Sequence, residues 1–129
     1  MSIHIADIAQ YTEALAPAAY TANKTDADII DTLGLIDGAL VIHTGAVDTG
    51  DGDETYVIKV LESDNSDLSS SSEVTSLETT VTEAGVQVVR LPELNLQTKR
   101  YLRVTLTVGG TSPSFTGSAV LVAGKKEVN

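Results

Sequence analysis

Two histidines, His4 and His43, and the carboxylate run Asp48-Thr-Gly-Asp51-Gly-Asp53-Glu54 are the residues of this sequence with most scope for chemistry. A zinc centre draws on Cys and His donors at short spacings. The chain has no Cys and no His pair at ligand spacing, so no zinc site is expected. His43 closes an apolar run and reads as a core or strand-end histidine. The carboxylate run has the oxygen donors and glycine turns that a Ca²⁺ loop uses. It lacks the Asp-x-Asp-x-Asp-Gly frame of an EF-hand, with Gly50 standing at the third place. The bland reading, a solvated loop between two strands, is preferred. No Ser lies on a Gly-x-Ser-x-Gly elbow, and Ser69–Ser72 reads as a low-complexity loop tip. A Ser–His–Asp triad assembles residues far apart in the chain and stays open at this point. Gly109-Gly110 leads into Thr-Ser-Pro-Ser, with no helix to complete a phosphate loop. The four tyrosines (Tyr11, Tyr20, Tyr56 and Tyr101) are scattered and form no sugar-stacking cluster. The expectation is a protein without cofactors that is not an enzyme.

The elements that would position these residues are strands. In Tyr101–Val108, Leu102, Val104, Leu106 and Val108 alternate with Tyr101, Arg103, Thr105 and Thr107. A period of two with β-branched residues predicts a strand with one buried and one wet face. Gly109-Gly110 ends it. Phe115–Ala123 follows, with Ala119, Leu121 and Ala123 on one face and Val120 and Val122 on the other, and the two are expected to form an antiparallel hairpin. Ala39–His43 is continuously apolar, which predicts a strand buried on both sides. Tyr56–Glu62 and Val86–Leu91 are further strands, with a bulge expected at Val88-Val89 where alternation breaks. Val74–Val81 alternates weakly and suits an edge.

The first 37 residues are less patterned. Ile5, Ile8, Ala9, Thr12 and Leu15 fit a helical period, but Pro17 opposes a helix, and extended segments over Ala14–Thr21 and Asp28–Leu35 with a turn at Asn23–Asp26 are preferred. The total is seven to eight short strands in 129 residues. That number and spacing predict an all-β antiparallel sandwich or jelly roll. Its expected divisions are an extended N-terminal arm (1–13), the sandwich domain (14–124) and a C-terminal tail (125–129).

Charge is uneven. The net value is −10, and residues 48–83 alone carry ten acids against Lys59. Affinity for nucleic acid rests on cations that displace phosphate counterions, so no nucleic-acid partner is expected. Arg90, Lys99, Arg100 and Arg103 fall in one short segment and form a candidate basic patch. No secretory leader or membrane-spanning run is expected.

Several segments taken together resemble a family: Ala14-Leu-Ala-Pro-Ala-Ala-Tyr-Thr, Asp28-Ile-Ile-Asp-Thr-Leu-Gly, Val41-Ile-His-Thr-Gly, Tyr56-Val-Ile-Lys-Val-Leu-Glu-Ser-Asp-Asn and Arg100-Tyr-Leu-Arg-Val-Thr-Leu-Thr-Val-Gly-Gly-Thr-Ser-Pro-Ser. They resemble small virion proteins of tailed bacteriophages, especially the jelly-roll capsid decoration, or cementing, proteins. The resemblance implies a virion protein made in the host cytoplasm. It would sit on the outer capsid surface as a homo-oligomer, dimer or trimer, and bridge subunits of the major capsid protein. Its contacts would come from the apolar residues Ile5, Ile8 and Leu15 of the arm and from Arg90, Lys99, Arg100 and Arg103. A tail or fibre component, or a receptor- or glycan-binding β-sandwich, is the alternative.

Overall fold

A computed structural model describes residues 8–125 of the chain. Its strands are β1 (Ala9–Tyr20), β2 (Ile30–Asp31), β3 (Leu35–Val47), β4 (Thr55–Ser63), β5 (Ser72–Glu73), β6 (Thr79–Thr80), β7 (Gly85–Arg90), β8 (Tyr101–Gly109) and β9 (Phe115–Lys125). They form two antiparallel sheets, one in the order β1-β9-β3-β7 and the other β2-β8-β4-β5, with β6 also on β4. β5 and β6 run along the same edge of β4, separated by a 3₁₀ turn at Thr75–Leu77. Counted as one interrupted strand, they complete two four-stranded sheets. Apart from the β4–β5 hairpin, every connection crosses between the sheets, which is the jelly-roll arrangement.

The alternation of apolar residues builds the space between the sheets. Leu102, Val104 and Leu106 of β8 and Tyr56, Ile58 and Val60 of β4 face Leu40 and Ile42 of β3 and Phe115, Ala119 and Leu121 of β9. β1 is extended in spite of its helical period. Pro17 is tolerated because β1 is an edge strand, and register shifts between Glu13 and Leu15 and between Leu15 and Ala18 accommodate the irregular run. Pairing with β9 begins at Ala9, opposite Gly124, so residues 9–13 of the segment read as an arm form the first part of β1.

Three local expectations are corrected. β8 and β9 do not form a hairpin, because they lie in opposite sheets and Gly110–Ser114 spans the gap between them. Gly110, at φ +91°, lies against the backbone of Asp53 and Glu54, where a Cβ would collide. Thr111 donates its N–H and its hydroxyl to the Asp53 carboxylate at 3.0 and 2.8 Å. Sheets stacked about 10 Å apart can be joined by so short a segment. Second, β3 is not buried on both sides. Leu40, Ile42 and Thr44 point inward, whereas Ala39 and Val41 are half-exposed and His43 is exposed. Third, Val88-Val89 is not a bulge. β7 pairs with β3 in unbroken register from Ala39–Arg90 to Thr44–Gly85, and the two valines point to opposite faces, Val89 toward the core.

The Val74–Val81 region is an edge, as expected, but a discontinuous one. Gly38 marks a different constraint: a Cβ there would overlap the Val122 carbonyl oxygen, so β3 and β9 approach at this point only because the side chain is missing.

Tyr56 ties the two sheets together. Its hydroxyl donates to the Asp48 carbonyl oxygen, just past β3, and accepts the Ser114 N–H at 3.0 Å, just before β9. The ring is buried and lies 6.2 Å from that of Phe115. Replacing Tyr56 by Phe keeps the ring but strands two polar groups, and should cost about 1–3 kcal/mol. Urea unfolding is the check, and an unchanged midpoint would show that these bonds do not hold the sheets.

Candidate functional site

The basic residues do not converge. Arg100 forms a two-pronged bond to Asp31, Nε to Oδ1 at 2.8 Å and the second nitrogen to Oδ2 at 2.9 Å, and it lies over the Tyr101 ring at 5.0 Å. Arg103 donates through Nε to the Ala27 carbonyl at 2.7 Å. Lys99 gives its backbone N–H to Glu62 at 3.1 Å, and its ammonium lies 3.9 Å from Asp64. Arg100 and Arg103 hold β2 and the segment before it against β8, and Lys99 holds the entry to β8 against the end of β4. Arg90 is on the other sheet, exposed at the end of β7, and takes no part in these contacts. Three of the four proposed basic contacts thus already have partners inside the fold.

The apolar arm residues also separate. Leu15 is fully buried in the core, where it packs within the sandwich. Ile8 is exposed immediately before the Ala9–Gly124 pair. Ile5 lies outside the described residues, as does His4.

What the sequence did not disclose is an apolar surface at the end of the sandwich where β3 begins and β7 ends. Leu33 and Leu96 are 65% and 77% exposed, and with Ile36 they line one shallow depression between the β2–β3 turn and the loop 92–98. The loop is fastened there by the Leu94 N–H to the Ile36 carbonyl at 2.7 Å and by Asn95 Nδ2 to the Thr32 carbonyl at 2.6 Å. Asn95 takes a left-handed conformation, φ 62°, which short polar side chains tolerate. A neighbouring depression shares Ile36 and Glu93 and extends to Arg90, and Leu35 pairs with Lys125 at the same end as Ala9. Ile8 therefore lies at the same end, with β9 between it and Ile36. Large apolar residues inside turn-forming stretches, Leu33-Gly34 and Leu94-Asn-Leu96, were the available signal.

The outer faces of the two sheets differ as well. Across the β1-β9-β3-β7 sheet, one opposed row is Tyr11, Val122, Ala39 and Arg90, the next is Glu13, Val120, Val41 and Val88, and the third is Ser118, His43 and Val86. Across the other sheet the corresponding positions carry Val57 and Thr107, Lys59 and Thr105, and Leu61 and Arg103. Paired positions share a face, so the first sheet presents to solvent a valine stripe, Val120, Val41 and Val88, that ends on Glu13 at the β1 edge.

The acidic loop is held by its own chain. Asp48 accepts the Gly50 N–H at 2.9 Å, and Glu54 accepts the Asp51 N–H at 2.9 Å. The backbone N–H and hydroxyl of Thr111 hold the Asp53 carboxyl below its ordinary range. Among the described residues no group of three or more His, Asp or Glu is placed to hold a metal ion.

The fold and this surface define a jelly-roll β-sandwich with an exposed apolar end and a valine stripe on the outer face of one sheet. No family model matches the chain, and neither curated proteins nor solved structures give a significant match.

The Asp31–Arg100 pair predicts a pH effect. Hydrogen bonding from Arg100, with a smaller contribution from the Leu33 N–H, holds the Asp31 carboxyl from its ordinary 3.8 down to about 2. A carboxylate depressed in the folded state stabilises the fold above its unfolded pKa, and that contribution is lost as the pH falls from about 4 through about 2. Both partners are nearly half exposed, so solvent screens the pair and the effect is small. Asp31→Asn should flatten that acid limb in melting curves across the pH series. Identical limbs in both proteins would show that the pair does not contribute.

Proposed function

We propose that the chain is a structural binding module that attaches to the outside of an assembled tailed-phage capsid and cements neighbouring major capsid protein subunits. The observation that carries the binding reading is the exposed cluster Leu33, Ile36 and Leu96. Contiguous exposed apolar residues rimmed by polar ones mark interaction surfaces, and here Glu93 and Asn95 form part of the rim. Support for a capsid as the partner comes from the segment resemblance. The net charge of −10 favours a partner surface away from packaged nucleic acid.

In this reading the mechanism is linkage. A protein that binds the assembled shell and not its dissociated subunits stabilises the shell by mass action. Leu33, Ile36 and Leu96 contribute by leaving water on docking, and the polar rim excludes water around them.

Purified protein added to capsids lacking it should sediment with them and raise their melting temperature. Leu33→Glu and Leu96→Glu should each weaken attachment at least tenfold while leaving the free protein's melting temperature nearly unchanged, because neither side chain is in the core. Failure of the wild-type chain to attach, with binding to host-surface glycans in its place, would favour the receptor-binding alternative.

A further inference from the structure

A jelly roll has sheet edges, and an exposed edge offers unpaired N–H and C=O groups to any strand that approaches. Three of the edges here carry protection. β1 has Pro17, two register shifts and Glu13. β2 is two residues long, and so are β5 and β6. The fourth edge, β7, is six residues long and runs in unbroken register along β3 with no proline and no lysine.

The hydrogen-bond phase of β7 follows from one bond. The Leu91 N–H donates to the Gly38 carbonyl at 2.9 Å, which continues the ladder one residue past the Ala39–Arg90 pair. Directly opposed residues in an antiparallel ladder either exchange bonds or do not, in alternation. Val89, Gln87 and Gly85 therefore bond to β3, and the N–H and C=O groups of Val86, Val88 and Arg90 point away from it. Among the described residues, none of the turn, loop or side-chain hydrogen bonds uses these groups. Val86 and Val88 are 62% and 65% exposed.

We propose that β7 pairs with β7 of a second copy across a two-fold axis at Val88. The outward set is symmetric about that residue. Val88 would exchange bonds with its own copy, and Val86 with Arg90 of the other chain, twice, so that every outward group of the three residues is satisfied. Gln87 would lie opposite Val89. Two molecules of charge −10 repel over most of their surfaces, yet β7 contains no carboxylate and this register opposes no like charges. The pairing would also continue the apolar outer stripe from one copy into the next through adjacent Val88 side chains. An edge-to-edge contact of six residues is small, which places the dimer in the weak, concentration-dependent class. A second copy is the occupant the edge fits, because the pattern of its free groups is complementary to itself.

The proposal is independent of the capsid reading and is tested on the free protein. In sedimentation equilibrium the wild-type chain should pass from monomer to dimer over roughly 10–1,000 μM, the range expected of a weak contact. Val88→Lys places like charges face to face, and Val88→Pro removes one outward donor while leaving every bond to β3. Each should weaken the dimer at least tenfold, and Val88→Lys should do so with little change in melting temperature. Since the chain has no Cys, Val88→Cys introduces a single thiol per copy. A short bifunctional thiol reagent should crosslink it efficiently, and should not crosslink Thr107→Cys on the opposite sheet. A wild-type chain that stays monomeric at every concentration overturns the proposal, and so does association that Val88→Lys leaves intact, whether another protein's strand or nothing covers β7.

Discussion

The burial of Phe115 between two tyrosines fixes how the sheets lie on each other. With one Phe, four Tyr and no Trp, the chain has few side chains large enough to span the interior. Phe115 is fully buried, 6.5 Å from the Tyr20 ring in its own sheet and 6.2 Å from Tyr56 in the other. Tilted aromatic pairs at such separations add to the burial of apolar area. Because the Tyr56 hydroxyl also holds the residues next to β3 and β9, ring packing and polar contact act at one place. The crossings β3–β4 and β8–β9 are set there, and the remaining aliphatic core, from Ile58 to Leu121, fills the space they define. The opposite end has no aromatic residue in its core, only aliphatic ones such as Ile30, Leu35, Leu91 and Leu94. It is closed by loops whose leucines are divided between core and solvent.

That division marks the limit of what could be read in advance. Period-two alternation located β8 and β9 because each buries one face, and a one-sided strand writes its burial into its sequence. Partnership across the sandwich leaves no such record. Neighbouring strands with a five-residue link read as a hairpin, and only the position of β1 and β3 beside β9 shows that the link crosses sheets. Ala39–His43 read as doubly buried because its outward residues, Ala39 and Val41, are apolar too. Val88-Val89 read as a bulge for the same reason: an apolar residue on the wet side looks like a break in phase. These two errors share a cause. Apolar residues on the wet face, Ala39, Val41 and Val88, depart from the rule that the solvent face is polar.

The basic segment taught the reverse lesson. A cluster of cations in an acidic chain suggested a docking patch, but the Arg100, Arg103 and Lys99 side chains are directed to Asp31, the Ala27 carbonyl and Asp64. In a chain with eighteen acids and eight bases, most cations meet a local partner before they can serve a foreign one. Leu33 and Leu96 are the opposite case. Sequence cannot distinguish a leucine that closes a core from one that caps a loop, since the difference lies in which way the turn directs it.

The two surfaces left open by the fold have a geometric relation that joins the two proposals. A two-fold axis through Val88 would stand perpendicular to the sheet and reverse the strand direction, so that in a β7-linked pair the ends bearing Leu33, Ile36 and Leu96 would point to opposite extremities. Such a pair would not place both apolar ends on one spot. It would lie with one end on each of two separated sites, tied by a rigid sheet with no linker. Once one end is docked, the second binds at an effective concentration set by that fixed span, and a weak contact at each end can give a firm bridge. The reverse also holds. Two sites on a lattice at the matching distance hold the copies together and compensate for the small β7 contact. A short unprotected edge in an acidic protein is in this arrangement a contact weak enough to leave free chains mostly monomeric and strong enough to complete itself on an ordered surface.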